Sequence, residues 1–237
     1  MQLGARRMTN ARDTVYRAVL DRLTHGHYRD GSPLLPQQLS DEFNVSRTPV
    51  REALALLEQD GLLLSGKRGF EVRPRSDQEI LDIFETRAIL ESSAAYAAAT
   101  RATPIDLARL QDLHDRSQAT DDPAEIRRVF NHFHDAVRNA AHNRTITALL
   151  RTIEAQVKVS APWTTPGGAR EFGPSYAEHA AILDAIRSGD AASARTASLT
   201  HSAHDRDTRV SQLIVRMAED LTAPDSTAAG FLDRQRG

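Results

Sequence analysis

Apolar residues along this chain recur mostly at intervals of three and four, the spacing that lines one face of a helix. Residues 39–57 show this twice, with a break between. Leu39 and Phe43 lie four apart on a first short helix. Asn44 tolerates the left-handed backbone that ends a helix, and Val45 fills the corner. Ser46 is a good N-cap for a second helix, with Pro49 in its first turn, where no backbone N–H is needed. Val50, Ala53, Leu54 and Leu57 then line one face, while Arg47, Thr48 and Arg51 fall on the other side. Residues 62–65 and 70–73 read as strands, joined by the basic turn Gly66-Lys67-Arg68-Gly69. An earlier helix is expected from Asp13, as its cap, to about His25, with Val15, Ala18, Val19 and Leu23 inward and Gly26 at its end. Residues 28–35 read as a turn.

From Asp77 onward the spacing is helical throughout. Segments are expected at 77–100, 104–118, 123–141, 144–160, 174–188 and 190–220. Pro104, Pro123 and Pro174 sit near helix starts, Asn143 is a good N-cap, and Gly189 separates the last two helices. Residues 161–173, with Trp163, Pro162, Pro166, Gly167 and Gly168, form the longest break and are placed to cover a pocket. The division expected is a disordered leader at 1–10, a winged unit at 11–74, a helical domain at 77–221 and a flexible tail at 222–237. Pro74-Arg75-Ser76 is too short a linker for free tumbling, so the two halves should be mechanically coupled.

Composition sharpens this picture. With 40% hydrophobic and 5% aromatic residues, the core is built of Leu, Ile, Val and Ala. The absence of cysteine excludes disulfides and thiolate metal sites. No apolar run approaches the ~18 residues of a membrane span, and the N-terminus lacks the apolar core of a signal peptide, so a cytoplasmic location is expected. The net charge of −2 hides an asymmetry. Residues 1–75 hold 12 Lys and Arg against 9 Asp and Glu, while the remainder is acidic. The basic excess therefore travels with the helix-turn-helix, and salt-dependent binding through few contacts is the expectation.

Several charged or ionisable side chains fall on faces that should be buried. Arg87 and Glu91 lie in the middle of the apolar stripe formed by Ile80, Ile83, Phe84, Leu90, Ala94 and Ala98. Charges facing a core need partners. A buried Arg–Glu bridge satisfies that requirement, and so does an Arg87 that reaches an anionic ligand while Glu91 holds it. His179 is central among Tyr176, Ile182, Leu183 and Ile186; His134 edges the stripe of Ile126, Phe130, Phe133 and Val137; His201 shares a face with Ala194, Ala197, Asp205 and Thr208. Three inward histidines on three helices either converge on one metal ion or are three separate core residues. His25, His27, His114, His132, His142 and His204 read as surface residues.

Two family resemblances bear on these alternatives. The initial helix, Gly26…Gly31-Ser32-x-Leu34, Val45-Ser46-Arg47-Thr48-Pro49-Val50-Arg51-Glu52-Ala53-Leu54 and Asp60-Gly61-Leu62 resemble the GntR family of bacterial transcription regulators. The resemblance implies a winged helix-turn-helix in which Arg47, Thr48 and Arg51 touch DNA and Gly66, Lys67, Arg68 and Gly69 enter the minor groove. Relatives often carry Glu or Arg where this chain has Pro36 and Gln37. Glu85-x-Arg87…Glu91, Phe133-His134…Asn143, Glu178-His179…Gly189-Asp190 and His201 are similar to the FCD effector domain of the FadR subfamily. That domain implies an antiparallel helical bundle holding Zn²⁺ or a similar divalent ion through one Asp and three His, with a carboxylate effector completing the shell. His134, His179 and His201 match the histidines; Phe130 stands where the Asp is usual, and phenylalanine cannot ligate.

The fold expected is thus mainly α, a winged helix-turn-helix with a small β-hairpin wing followed by an antiparallel all-helical bundle. The function expected is a ligand-responsive DNA-binding transcription regulator. It would act as a homodimer on a palindromic operator and sense a small carboxylate effector through Arg87, Glu91 and a divalent metal; repression is the commoner role that the resemblance implies. Two other readings are a three-His metal enzyme, which lacks a clearly placed general base and has no use for a basic wing, and a DNA-binding dimer without an effector.

Overall fold

The structure is a computed structural model that describes residues 10–160 and 172–222. Asn10, at the end of the expected leader, opens the first helix: its side chain accepts a hydrogen bond from the Arg12 N–H at 3.4 Å. Asp13 is therefore not the cap expected. It lies in the first turn, where a carboxylate still faces the positive end of the helix dipole. Helix α1 (Ala11–Thr24) packs Val15, Val19 and Leu23 on α3 (Arg47–Gln59), whose Val50, Ala53, Leu54 and Leu57 are fully buried. Between them α2 (Pro36–Phe43) ends at Asn44 with φ of 50°, the left-handed stop anticipated from the sequence. Ser46 is the N-cap of α3 by position, but its side chain makes no capping bond.

The wing is a three-stranded antiparallel sheet rather than a hairpin. Strands β2 (Leu63–Gly66) and β3 (Gly69–Val72) pair around the Lys67-Arg68 tip. A third strand, β1 (Pro33–Leu34), joins β3 on its other edge, with Leu34 opposite Phe70. This strand falls in the segment expected to be only a turn, because two residues are too few to display alternation. Leu34 and Val72 close the lower side of the winged core.

Helix α4 (Asp77–Arg101) starts from a capping box between Ser76 and Glu79. Pro104 opens α5 (Pro104–Gln118), Pro123 opens α6 (Pro123–Ala140), and the Asn143 carboxamide caps α7 (Arg144–Ser160) by accepting from Thr145 and Ile146 N–H. Helices α8 (Gly173–Arg187) and α9 (Ala191–Thr222) complete the bundle, separated by Gly189 at φ of +73°. Helix α9 takes in Thr222, which the sequence had assigned to the tail. Helix α4 is the axis, packed by α6, α7, α8 and α9, with α5 outside on α6 and α8. Its Ala94, Ala95, Ala97 and Ala98 let neighbours approach closely. No described helix is long and apolar enough to cross a membrane. The expected leader up to residue 9, most of the loop at 161–173 and residues 223–237 lie outside the described residues.

Helix α7 joins the two halves. Its Ala155 and Val159 pack on the winged core, and Gln156 Nε2 donates to the Asp60 carbonyl at 2.8 Å. Arg75 of the linker donates to Ser160 Oγ at 2.9 Å and to the Gly61 carbonyl at 2.5 Å. Asp60 also accepts from Tyr16 Oη at 2.6 Å, and burial with that carboxylate pushes the phenol upward. Gly61 sits at φ of +74°, and a Cβ there would lie 2.9 Å from Gln156 Nε2. Leu54→Ala is expected to cost about 2–5 kcal/mol of unfolding free energy, as for a fully buried leucine. Gly61→Ala should cost about 1–2 kcal/mol through its left-handed backbone. Denaturant titration measures both, and a Gly61→Ala chain as stable as wild type would contradict the role given to that corner.

Candidate functional site

The winged unit exposes every expected contact except one. Arg47, Thr48 and Arg51 at the start of α3 are solvent-exposed, as are Gly66, Lys67 and Arg68 at the tip. Arg47 is held by a hydrogen bond from its Nε to Gln37 Oε1 of α2, so Gln37 orients it where a charged residue is absent. Gly69 differs. A Cβ on it would lie 2.7 Å from the Leu34 carbonyl oxygen and 2.9 Å from Pro36 Cδ. Glycine is therefore required there by the close approach of β1.

In the bundle the three inward histidines converge. His134 of α6, His179 of α8 and His201 of α9 bring one ring nitrogen each to within 4.8 Å of one another. Phe133 stacks on His179 at 4.5 Å between centroids, and His134 stacks on His201 at 5.0 Å. His201 Nδ1 faces Glu178 Oε2 at 2.7 Å; donation of Nδ1–H there would leave Nε2 as the lone-pair nitrogen. That Nε2 lies 3.3 Å from His134 Nε2. Two nitrogens bound to one tetrahedral Zn²⁺ at about 2.0–2.1 Å would be separated by roughly that distance. His179 Nε2 is buried with no hydrogen-bond partner, and buried polar atoms are normally satisfied. These residues fit a divalent ion: two facing nitrogens, one orphaned nitrogen, and a Glu–His pair of the kind that orients metal ligands. Burial, followed by the neighbouring imidazoles, holds His134 and His179 well below the usual histidine range, so both are neutral and able to ligate.

A cavity of about 280 Å³ opens beside this group, lined by Arg87, Phe130, Phe172, His134, His201 and Asp205 among others. Phe130 occupies the wall one turn before His134 and meets His179 edge-on at 4.4 Å. Arg87 shows the buried pairing that one of the two sequence readings required, and it also lines the cavity. Its Nη1 pairs with Asp205, and its Nε lies 3.3 Å from Glu154. Glu91 sits 3.8 Å from Arg87 but accepts its hydrogen bonds from Arg138, which also lies 3.2 Å from Glu154. Although burial opposes ionisation, Arg209 and Arg87 bring the Asp205 carboxyl down to about 2. Burial likewise opposes the charge on Glu154, yet Arg87 and Arg138 hold it well below the usual range.

Sequence reasoning missed Arg138 and Glu154, the contacts of Glu178 with His201 and His204, and the place of Asp205. The rule that exposed Arg87, a charge on an apolar stripe, also applies to Glu154 between Leu150, Ile153 and Val157. His204, read as a surface residue, lines the cavity and gives Nδ1 to Glu178 Oε1 at 3.0 Å. Half-buried His114 likewise departs from the surface reading, since its Nδ1 is enclosed. His25, His27, His132 and His142 are exposed as expected.

The depressed histidines make a pH prediction for chelator-treated protein. Their folded values lie below the unfolded value of about 6.5, so the unfolded chain binds more protons in that window. Stability is then complete above pH 6.5 and declines as pH falls through it. Thermal unfolding between pH 8 and 5 should show this decline, and His179→Phe should flatten it; equal slopes in both proteins would contradict the assignment.

Comparison with known proteins agrees with this architecture. Residues 11–72 match the family described as Bacterial regulatory proteins, gntR family, and residues 82–204 match the FCD domain. The chain is 33% identical over 191 residues to the Putative L-lactate dehydrogenase operon regulatory protein of Escherichia coli K12, covering 70% of this chain and 72% of that one. It is 29% identical over 216 residues to the Galactonate operon transcriptional repressor of the same organism, covering 81% and 93%. Among solved structures, Escherichia coli McbR/YncC superposes with a TM-score of 0.74 at 21% identity, over 87% of this chain and 100% of that chain. A putative transcriptional regulator GntR from Rhodococcus sp. RHA1 gives 0.65 at 23%, over 86% and 99%. The two sequence relatives are named as a regulatory protein and a transcriptional repressor. A gntR-type winged unit joined through α7 to an FCD bundle makes this chain a transcriptional regulator of the GntR family.

Proposed function

We propose that this regulator is a repressor that binds a palindromic operator as a homodimer and is controlled by a small carboxylate bound in the bundle. The winged unit at 11–74 would read DNA through Arg47, Thr48, Arg51, Gly66, Lys67, Arg68 and Gly69, and the bundle at 77–221 would sense. One observation carries the reading. The cavity is lined by His134 and His201 of the three-histidine group, with His179 just behind them, and by Arg87. A divalent ion held by His134, His179 and His201 would supply a Lewis-acidic position for one oxygen of the effector, while Arg87 would receive its negative charge. Glu91 would act indirectly, by fixing Arg138 and with it the buried pairs around Arg87. Two relatives are named for the operons of L-lactate dehydrogenase and of galactonate, which supports a hydroxycarboxylate of modest size. A cytoplasmic location follows from action on DNA.

Control then requires that the effector favour one spacing of the two winged units over another, since only differential affinity shifts an equilibrium. Helix α7 is the element placed to carry that preference, because Glu154 touches Arg87 while Gln156 holds Asp60.

Two outcomes test the reading. Arg51→Ala is expected to weaken specific operator binding by about 1–3 kcal/mol, measured by fluorescence anisotropy on fragments flanking the gene; unchanged affinity would remove Arg51 from the interface. His179→Ala is expected to lose bound metal in elemental analysis and to abolish the thermal shift given by small hydroxy acids, while retaining DNA binding. Retained metal together with a retained shift would defeat the proposed sensor.

A further inference from the structure

Phe130 leaves the histidine group without the acidic ligand that would offset part of a divalent ion's charge. A neutral three-imidazole shell in a partly closed cavity is an unfavourable place for two positive charges, because burial strengthens the need for an anion. The described side chains around the cavity offer one carboxylate on its wall, Asp205. It lies four residues after His201 on α9, hence on the same helical face and one turn along. Phe130 bears the mirror relation to His134, four residues before it on α6. We propose that Asp205 supplies from α9 the anionic metal ligand that position 130 lacks on α6.

Asp205 lies outside the close histidine group, drawn to Arg87 and to Arg209, whose Nε is 3.3 Å from Asp205 Oδ1. Turning toward an ion at the histidines would release Arg87 from its shortest partner. Glu154 at 3.3 Å and Glu91 at 3.8 Å remain beside Arg87, so the guanidinium keeps counter-ions while its cavity-facing side becomes available to an effector carboxylate. Metal loading and effector capture would thus be linked through one side chain. The inference rests on the metal reading above and adds the ligand that completes it.

The test is metal affinity of the full chain, by competition with a chromogenic chelator for Zn²⁺ and Ni²⁺. Asp205→Asn is expected to weaken binding about tenfold or more, on the scale seen when groups supporting a metal site are removed, and adding Phe130→Asp to that variant should restore it. Phe130→Asp should raise affinity far more in the Asp205→Asn background than in the wild-type chain, because only there is the acidic position vacant; an equal gain in both backgrounds overturns the proposal, as does unchanged affinity in Asp205→Asn. If Asp205→Asn does not fold, Phe130→Asp alone decides. A shell already holding Asp205 gains little from a second acid, whereas a vacant position would gain about tenfold or more. A wild-type chain that takes up neither ion removes the metal reading itself, a result distinct from metal binding that ignores Asp205.

Discussion

Among the described residues, Arg87, Arg138 and Arg209 share the interior of the helical half with Glu91, Glu154 and Asp205, and each helix that carries one must sit where its partner can reach. Arg87 and Glu91 come from α4, Arg138 from α6, Glu154 from α7, and Asp205 and Arg209 from α9. Such ions are costly to bury, and removing one partner from a buried pair typically costs about 3–5 kcal/mol. Each carboxylate is therefore confined to the few positions where its guanidinium can reach. Apolar side chains alone would let these helices slide by fractions of a turn. The ion pairs constrain α4, α6, α7 and α9 relative to one another, and in that arrangement His134 of α6 and His201 of α9 meet.

The same network explains how the candidate site differs from a plain core. Arg87 is only 6% exposed, yet one side of it borders the cavity. A group so placed has its charge maintained by Glu154 and Asp205 while a further anion can approach. Phe130 and Phe172, with ring centroids 5.6 Å apart, lower the polarity of the same cavity, and Tyr176 backs Phe130 at 5.3 Å. Attraction between a ligand carboxylate and the guanidinium is less screened there than at the surface.

Much of this was legible from residue order. Helix bounds in the bundle were recovered to within one or two residues because Pro104, Pro123, Asn143 and Gly189 punctuate it. The inward histidines were visible because each interrupts an apolar stripe. What escaped was of two kinds. Strand β1 holds two residues, below the length at which any period shows. The partners of Arg87 lie 67 and 118 positions away, and no local pattern announces which distant acid will meet which base. Asp205 was noticed only as a neighbour of His201 along one helix. The Asn10 cap was missed because Asp13, three residues on, offers equally suitable chemistry.

Helix α7 has one further property. Glu154 and Gln156 are two residues apart, so at 3.6 residues per turn their side chains diverge by about 200°. One is fastened to the buried ions and the other to the end of α3. A rigid rod gripped on opposite flanks transmits roll as readily as translation. A small twist of α7, too slight to disturb its own backbone, would be delivered to the carbonyl of Asp60 as a sideways push at the C-terminal end of α3.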